Sequence, residues 1–179
     1  MSEPIKGTRL NKYLASCGVG SRRACDALIQ EGNIFVNNSR CENPATQIGP
    51  DDLVRVGRKN VSPRTTEVIL LNKPAGLVCT AQDELGRGTI YDILPPKLKH
   101  LKNVGRLDKD SEGLLVLTND GDLALKLTHP AQKVEKEYVV TLNQAFPNEV
   151  MDQLIKGVHT PEGRAKAKAV RRISPRRVK

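Results

Sequence analysis

A chain of 179 residues has room for one full domain, or for a small module and a second domain. No apolar run approaches the ~20 residues that span a bilayer, and Met1–Lys6 lacks the apolar core of a secretory signal. Membrane-spanning and secreted classes are therefore set aside, and a cytoplasmic protein is expected. The formal charge of +9 is uneven: residues 1–60 carry 9 basic and 6 acidic side chains, 61–155 carry 11 and 13, and 156–179 carry 9 and 1. That excess permits a polyanionic partner and equally describes a solvated basic tail.

Cys17, Cys25, Cys41 and Cys79 include no Cys-x-x-Cys pair, and His100, His129 and His159 make no ligand-spaced pair. Isolated reduced thiols are expected, with no metal site. Leu10, Tyr13 and Leu14 recur at helical spacing with Thr8 as N-cap, and Gly18-Val19-Gly20 breaks that helix. The Gly-x-Gly there is no dinucleotide fingerprint, because the third glycine and a preceding strand are absent. Ser21 caps a second helix through Ala24, Cys25, Leu28 and Ile29, and Gly32 stops it. Ile34–Val36 reads as a strand, Asn37-Asn38 as a turn, 47–52 as a turn, and Leu53–Val56 as a second strand.

Within this module, Thr8-Arg9-Leu10-Asn11-Lys12-Tyr13-Leu14, Ser21-Arg22-Arg23-Ala24 and Glu31-Gly32-Asn33-Ile34-Phe35-Val36-Asn37 together resemble an S4 domain, a small RNA-binding module. The resemblance implies that Arg9, Lys12, Arg22 and Arg23 meet RNA backbone. Helix physics agrees for the pair Arg22 and Arg23: in a first turn the macrodipole favours anions, and a bound phosphate would offset the mismatch.

Gly57–Thr66 is polar and reads as a linker. The expected organisation is an S4-like domain over 8–60, a linker over 61–66 and a second domain over 67–179. Val68–Leu71 reads as a buried strand and pairs with Leu77–Thr80 around Pro74-Ala75-Gly76 as a hairpin. A polar loop runs over Gln82–Gly88, and a helical turn over Ile90–Leu94 ends at Pro95-Pro96. Leu114–Leu117 has the length and composition of a buried strand. A helix is expected from Asp122 to Thr128, an alternating strand over Val134–Leu142, a helix over Phe146–Ile155 and an edge strand over Arg164–Ile173.

Between Val104 and Gly121 lies the stretch that invites chemistry. Arg106 and Asp108 are two apart, so an extended backbone would turn them to one face. Asp108-x-Asp110-x-Glu112-Gly113 imitates the first half of a calcium loop, but the twelfth position is Asn119 rather than a bidentate Glu. A plain turn, with Asp110 and Ser111 bonding nearby amides, is a second reading. A catalytic carboxylate at Asp108 is the third. A sugar hydrolase would need a second positioned carboxylate, for which Asp110 and Glu112 qualify by proximity only.

Gly105-Arg106-Leu107-Asp108-x-Asp110-Ser111-x-Gly113-Leu114-Leu115, followed by Thr118-Asn119-Asp120-Gly121-Asp122-Leu123, is similar to the signature of RNA pseudouridine synthases. The S4-like start, Leu71-Asn72-Lys73-Pro74-x-Gly76 and Glu135-Lys136-Glu137-Tyr138 resemble the bacterial ribosomal RNA branch called RsuA/RluB/RluF. The resemblance implies an α+β fold, with the S4-like module followed by a mainly antiparallel-sheet catalytic domain. It implies isomerisation of a uridine in ribosomal RNA to pseudouridine without a cofactor, by a monomer acting on ribosomal RNA or a pre-ribosomal particle and not on a membrane. Asp108 would be catalytic, as nucleophile or as the base that removes a ribose proton. Arg106 would engage the RNA or hold Asp108 ionised, and Tyr138 would stack on the flipped base. Thr128-His129-Pro130 leading to Glu135–Tyr138 favours large-subunit RNA, with small-subunit RNA the alternative. In this family the catalytic domain continues further, so 67–179 is expected to lack its C-terminal part. The competing function is a non-catalytic S4-type RNA-binding protein or an inactive fragment of the synthase.

Overall fold

The computed structural model describes residues 7–161 and 163–179; the leader 1–6, read above as lacking a secretory core, lies outside the described residues. The chain forms two compact units, one extending to Gln132 and the other spanning Lys133–Lys179.

The first unit opens with β1 (Thr8–Arg9), α1 (Leu10–Ser16), α2 (Arg22–Gln30), β2 (Ile34–Val36), β3 (Ser39–Arg40), β4 (Gln47–Ile48), β5 (Val54–Val56) and β6 (Lys59–Val61). β1 pairs with β4, and an antiparallel sheet runs in the order β3-β2-β5-β6. The helical spacing works as expected: Leu10, Leu14, Cys25 and Ile29 are buried and pack with Ile34, Ile48 and Val54. Ser21 caps α2 by accepting the Ala24 N–H at 3.1 Å. Thr8 is not the cap of α1. Its pairing with Ile48 holds it extended, and Arg9 precedes the helix without a side-chain cap. Asn37 and Asn38 both take positive φ, 49° and 68°, as a tight antiparallel turn requires. Lys59–Val61, read as linker, instead pairs with β5.

The stretch that follows has no regular structure but is held along its length. The Arg64 N–H donates to the Ser16 carbonyl at 3.1 Å. The Asn119 side chain donates to the Thr65 carbonyl and accepts the Glu67 N–H, each at 2.8 Å. Next come β7 (Val68–Lys73), β8 (Lys102–Val104), β9 (Gly113–Thr118) and α3 (Gly121–Thr128), with the strands antiparallel in the order β7-β9-β8. One face of this sheet buries Leu115 and Leu117, with Ile69 and Leu71 beside them, against Ile90, Tyr91, Leu94 and Leu101. The other face is open, with Leu70 69% and Leu114 68% exposed. Both apolar runs were read as buried strands; each is buried on one side only, by strict alternation. The expected Val68–Leu71/Leu77–Thr80 hairpin does not form, because β7 takes β9 as its partner. Val78 makes only an isolated parallel bridge to Thr89.

The second unit contains β10 (Val140–Thr141), α4 (Asn148–Lys156), β11 (Val158–Thr160), β12 (Gly163–Ala165), β13 (Arg172–Ser174) and β14 (Arg177–Val178). Its strands form the order β10-β14-β13 and a β11-β12 pair, all antiparallel. The strand expected over Val134–Leu142 shrinks to β10, since its partner β14 offers only Arg177 and Val178. The edge strand expected over Arg164–Ile173 divides into β12 and β13, because Ala167 donates to Leu154 and Arg171 exchanges backbone bonds with Lys179. Helices over antiparallel sheets make the chain an α+β protein, as expected.

Candidate active site

Asp108 lies between β8 and β9, in the loop that the two glycines Gly105 (φ 74°) and Gly113 (φ 127°) delimit. Both angles fall where a side chain is strained, so glycine lets the chain leave one strand and enter the next around the carboxylate. Arg106 and Asp108 are exposed and Leu107 between them is half-buried. Among the described residues, no ion pair joins them.

What fixes this loop is a lysine that the sequence reading assigned no role. Lys73 ends β7 on the same side as Ile69 and Leu71 and is 0% exposed. Its Nζ donates to the carbonyls of Ser111 at 2.6 Å, Asp108 at 2.9 Å, and Lys109 and Pro74 at 3.1 Å. A buried ammonium is tolerated only with its N–H groups satisfied, and here the acceptors are the backbone of the Asp108 loop. The Gly76 N–H adds a bond to the Lys109 carbonyl at 2.7 Å, and Ser111 N–H bonds the Asp108 carbonyl at 3.1 Å. The turn is therefore closed by backbone and Lys73 rather than by the side chains of Asp110 and Ser111. Strand parity was the available signal: a lysine two positions beyond Leu71 on an inward-facing row is a buried charge in search of partners.

The Thr118–Asp122 run also acquires roles. Asn119 grips the stretch before β7, as described above, and the Asp120 carboxylate accepts the Asp122 and Leu123 N–H groups at 2.9 and 3.1 Å, capping α3. The helix was expected to begin at Asp122; the cap lies two residues earlier. Asp122 instead meets the Lys12 ammonium at 2.7 and 2.8 Å, and that bond, with Arg22 nearby, holds its carboxyl below the usual range. Of the four basic residues marked for RNA, Lys12 is thus engaged by a carboxylate, while Arg9, Arg22 and Arg23 are exposed. The first turn of α2 holds no acidic residue.

Tyr138 belongs to the second unit, 54% exposed, in the irregular segment before β10. Among the described residues, no group of three or more His, Cys, Asp or Glu side chains is placed to hold a metal ion. The cysteines are free thiols.

An S4-like helix pair on a small sheet, followed by a pinned aspartate loop between antiparallel strands, defines a class that the comparisons identify. Residues 67–177 match the RNA pseudouridylate synthase family and residues 8–54 match the S4 domain, and the chain belongs to that synthase family. It is 40% identical over 158 residues to the dual-specificity RNA pseudouridine synthase RluF of Escherichia coli K12, covering 87% of this chain and 53% of that protein. An RNA pseudouridine synthase of Mycobacterium leprae is 40% identical, covering 92% of this chain and 66% of that protein. The ribosomal large subunit pseudouridine synthase B of Bacillus subtilis is 37% identical, with 90% and 66% covered. The chain therefore spans between about half and two thirds of the length of these curated relatives. A solved structure described as a pseudouridylate synthase superimposes with a TM-score of 0.62 at 26% identity, over 95% of this chain and 74% of that one.

Proposed function

We propose that this chain carries the uridine-isomerising aspartate of a ribosomal RNA pseudouridine synthase, organised as an RNA-binding module over 8–60, a connector over 61–66 and catalytic sequence from 67 onward. The observation that supports it is the Asp108 loop: an exposed carboxylate on a backbone pinned by Lys73, inside the stretch that matches the synthase family. An enzyme that works on a base inside folded RNA must extrude it, and a carboxylate standing clear of the protein surface suits a flipped nucleotide. Asp108 starts glycosidic cleavage, as nucleophile at C1′ or as base toward a ribose proton, and both alternatives use the ionised form. Arg106, exposed two residues before Asp108, binds the RNA near the target. Tyr138 is assigned the contact with the base.

Arg9, Arg22 and Arg23 meet phosphates, and Lys12 exchanges Asp122 for a phosphate when RNA arrives. The target is large-subunit RNA in preference to small-subunit RNA, and the chain acts as a cytoplasmic monomer without a cofactor.

The test is tritium release from C5-labelled uridine in ribosomal RNA by the chain and by its Asp108→Asn variant. Release by the chain that falls to background in the variant is expected; undiminished release would remove Asp108 from the mechanism. A second reading, a non-catalytic RNA-binding protein, draws on the S4 match and on the share of its relatives' length that the chain spans. It predicts RNA binding that weakens steeply with salt and no release by either protein.

A further inference from the structure

We propose that the Cys79 thiol is a positioning residue for Asp108, acting through the Leu107 peptide; the proposal rests on the role given to Asp108 above. The Cys79 Sγ donates to the Leu107 carbonyl at 3.3 Å and accepts the Leu107 N–H at 3.4 Å. β8 ends at Val104, so Leu107 has no strand neighbour to take these groups, and one sulfur serves both. The thiol is itself anchored. The N–H of Val78, the preceding residue, donates to the Gly88 carbonyl and its carbonyl accepts the Ile90 N–H, each at 3.0 Å, and Cys79 packs against the buried cluster of Ile90, Tyr91, Leu101 and Leu117.

The geometry has a consequence for the carboxylate. A peptide unit is planar, so a bond to its carbonyl restrains the whole plane. Cys79 holds the carbonyl of the peptide between Leu107 and Asp108, and Lys73 holds the carbonyl of the peptide between Asp108 and Lys109. The two planes that meet at the Asp108 Cα are both held at their carbonyls, which restricts φ and ψ there and hence the direction of the Cα–Cβ bond. The exposed carboxylate is aimed by its backbone, and the thiol supplies the N-terminal half of that aim.

Cys79→Val keeps the apolar volume and removes both sulfur bonds, Cys79→Ala removes them with less volume, and Cys79→Ser retains a donor and acceptor on a shorter arm. The experiment compares these variants with the wild-type full chain by amide exchange at Leu107, by RNA affinity, and by single-turnover pseudouridine formation at saturating ribosomal RNA transcript. For Cys79→Val and Cys79→Ala, Leu107 exchange should rise about tenfold as the local bond is lost. The rate should fall about 10- to 100-fold, the scale of a small misplacement of a reacting group, with RNA affinity unchanged. Cys79→Ser should recover most of the rate. A rate that falls only together with RNA affinity or global unfolding would overturn the proposal, as would unchanged Leu107 exchange. Accelerated exchange in a wild-type background that forms no pseudouridine would overturn the reaction assigned to Asp108 while leaving the thiol's grip on Leu107 established.

Discussion

A lysine with no exposure is costly unless each N–H of its ammonium finds an acceptor, and Lys73 finds four carbonyls within 3.1 Å. Three of these belong to residues 108–111, so the charge that β7 buries is the fastener of the loop that β9 completes. Lys73→Met keeps the apolar stem and removes the ammonium, leaving the Ser111 and Pro74 carbonyls without the donor they have and Asp108 and Lys109 with only their backbone bonds from Ser111 and Gly76. By the cost of breaking a buried charged hydrogen-bond set, the first unit should lose about 3 kcal/mol. Urea denaturation followed by a probe in that unit measures it, and a loss under about 0.5 kcal/mol, the usual range of surface substitutions, would show that the loop closes without the ammonium. Asp108 and Arg106 were candidates in the sequence because their spacing would turn both to one side of an extended segment. Lys73 and Cys79 were not, since each acts on backbone atoms some 30 residues away in the chain (35 for Lys73 to Asp108, 28 for Cys79 to Leu107), and residue type says nothing about which carbonyl will stand opposite.

Helices and turns with local causes were read at nearly their true bounds. The second helix begins after Ser21 and was expected there, because an N-cap is a contact between residues three apart. The cap of α3 is similar in kind but was misplaced, as Asp120 and Asp122 are both suitable and only the backbone decides. Asp120→Ala should cost about 1 kcal/mol through loss of that cap, and thermal unfolding should show it, whereas a neutral result would mean that α3 is held by its packing on β8 and β9 alone. Pairing partners were the least legible, and for one physical reason. Val68–Leu71 was matched to the next apolar run, but Lys73, Gly76 and Cys79 draw residues 74–79 around the Asp108 loop, leaving β9 to fill the place beside β7. The loop that follows, Gln82–Gly88, has its own fastener. Arg87 holds the Asp83 carboxyl by side-chain and backbone bonds, lowering its pKa from 3.8 to about 2. The folded value lies below the unfolded one, so the contribution is complete above 3.8 and is lost as pH falls through about 2. A carbon-detected titration should place the Asp83 midpoint near 2, and Arg87→Gln should return it toward the ordinary value. A midpoint near 3.8 in the wild-type chain would show that the loop does not hold the pair in solution.

At the scale of the whole chain, the two units differ in what they bury. The first contains two apolar clusters, one around Leu10, Leu14 and Ile29 and the other around Ile90, Leu101 and Leu117, each of these residues being 0% exposed. In the second, Phe146 at 9% and Val178 at 8% are the buried hydrophobic residues among those described, and its strands are two or three residues long. Since burial of a large apolar side chain contributes about 1.5–3 kcal/mol, the second unit has far less to set against its conformational entropy. Its charge works against it as well, with 9 basic and 1 acidic side chains over residues 156–179. Such a segment repels itself in dilute buffer, and salt relieves the repulsion. Two unfolding transitions are therefore expected. The amides of β10, β13 and β14 should exchange at least about 100-fold faster than those of β9, and the lower transition should move up as sodium chloride is raised from low to physiological ionic strength. Calorimetry and native-state hydrogen exchange on the full chain measure both quantities. One cooperative transition with uniform protection would show that the second unit is stabilised by contacts beyond its own core, and a lower transition indifferent to salt would show that its weakness lies in burial alone.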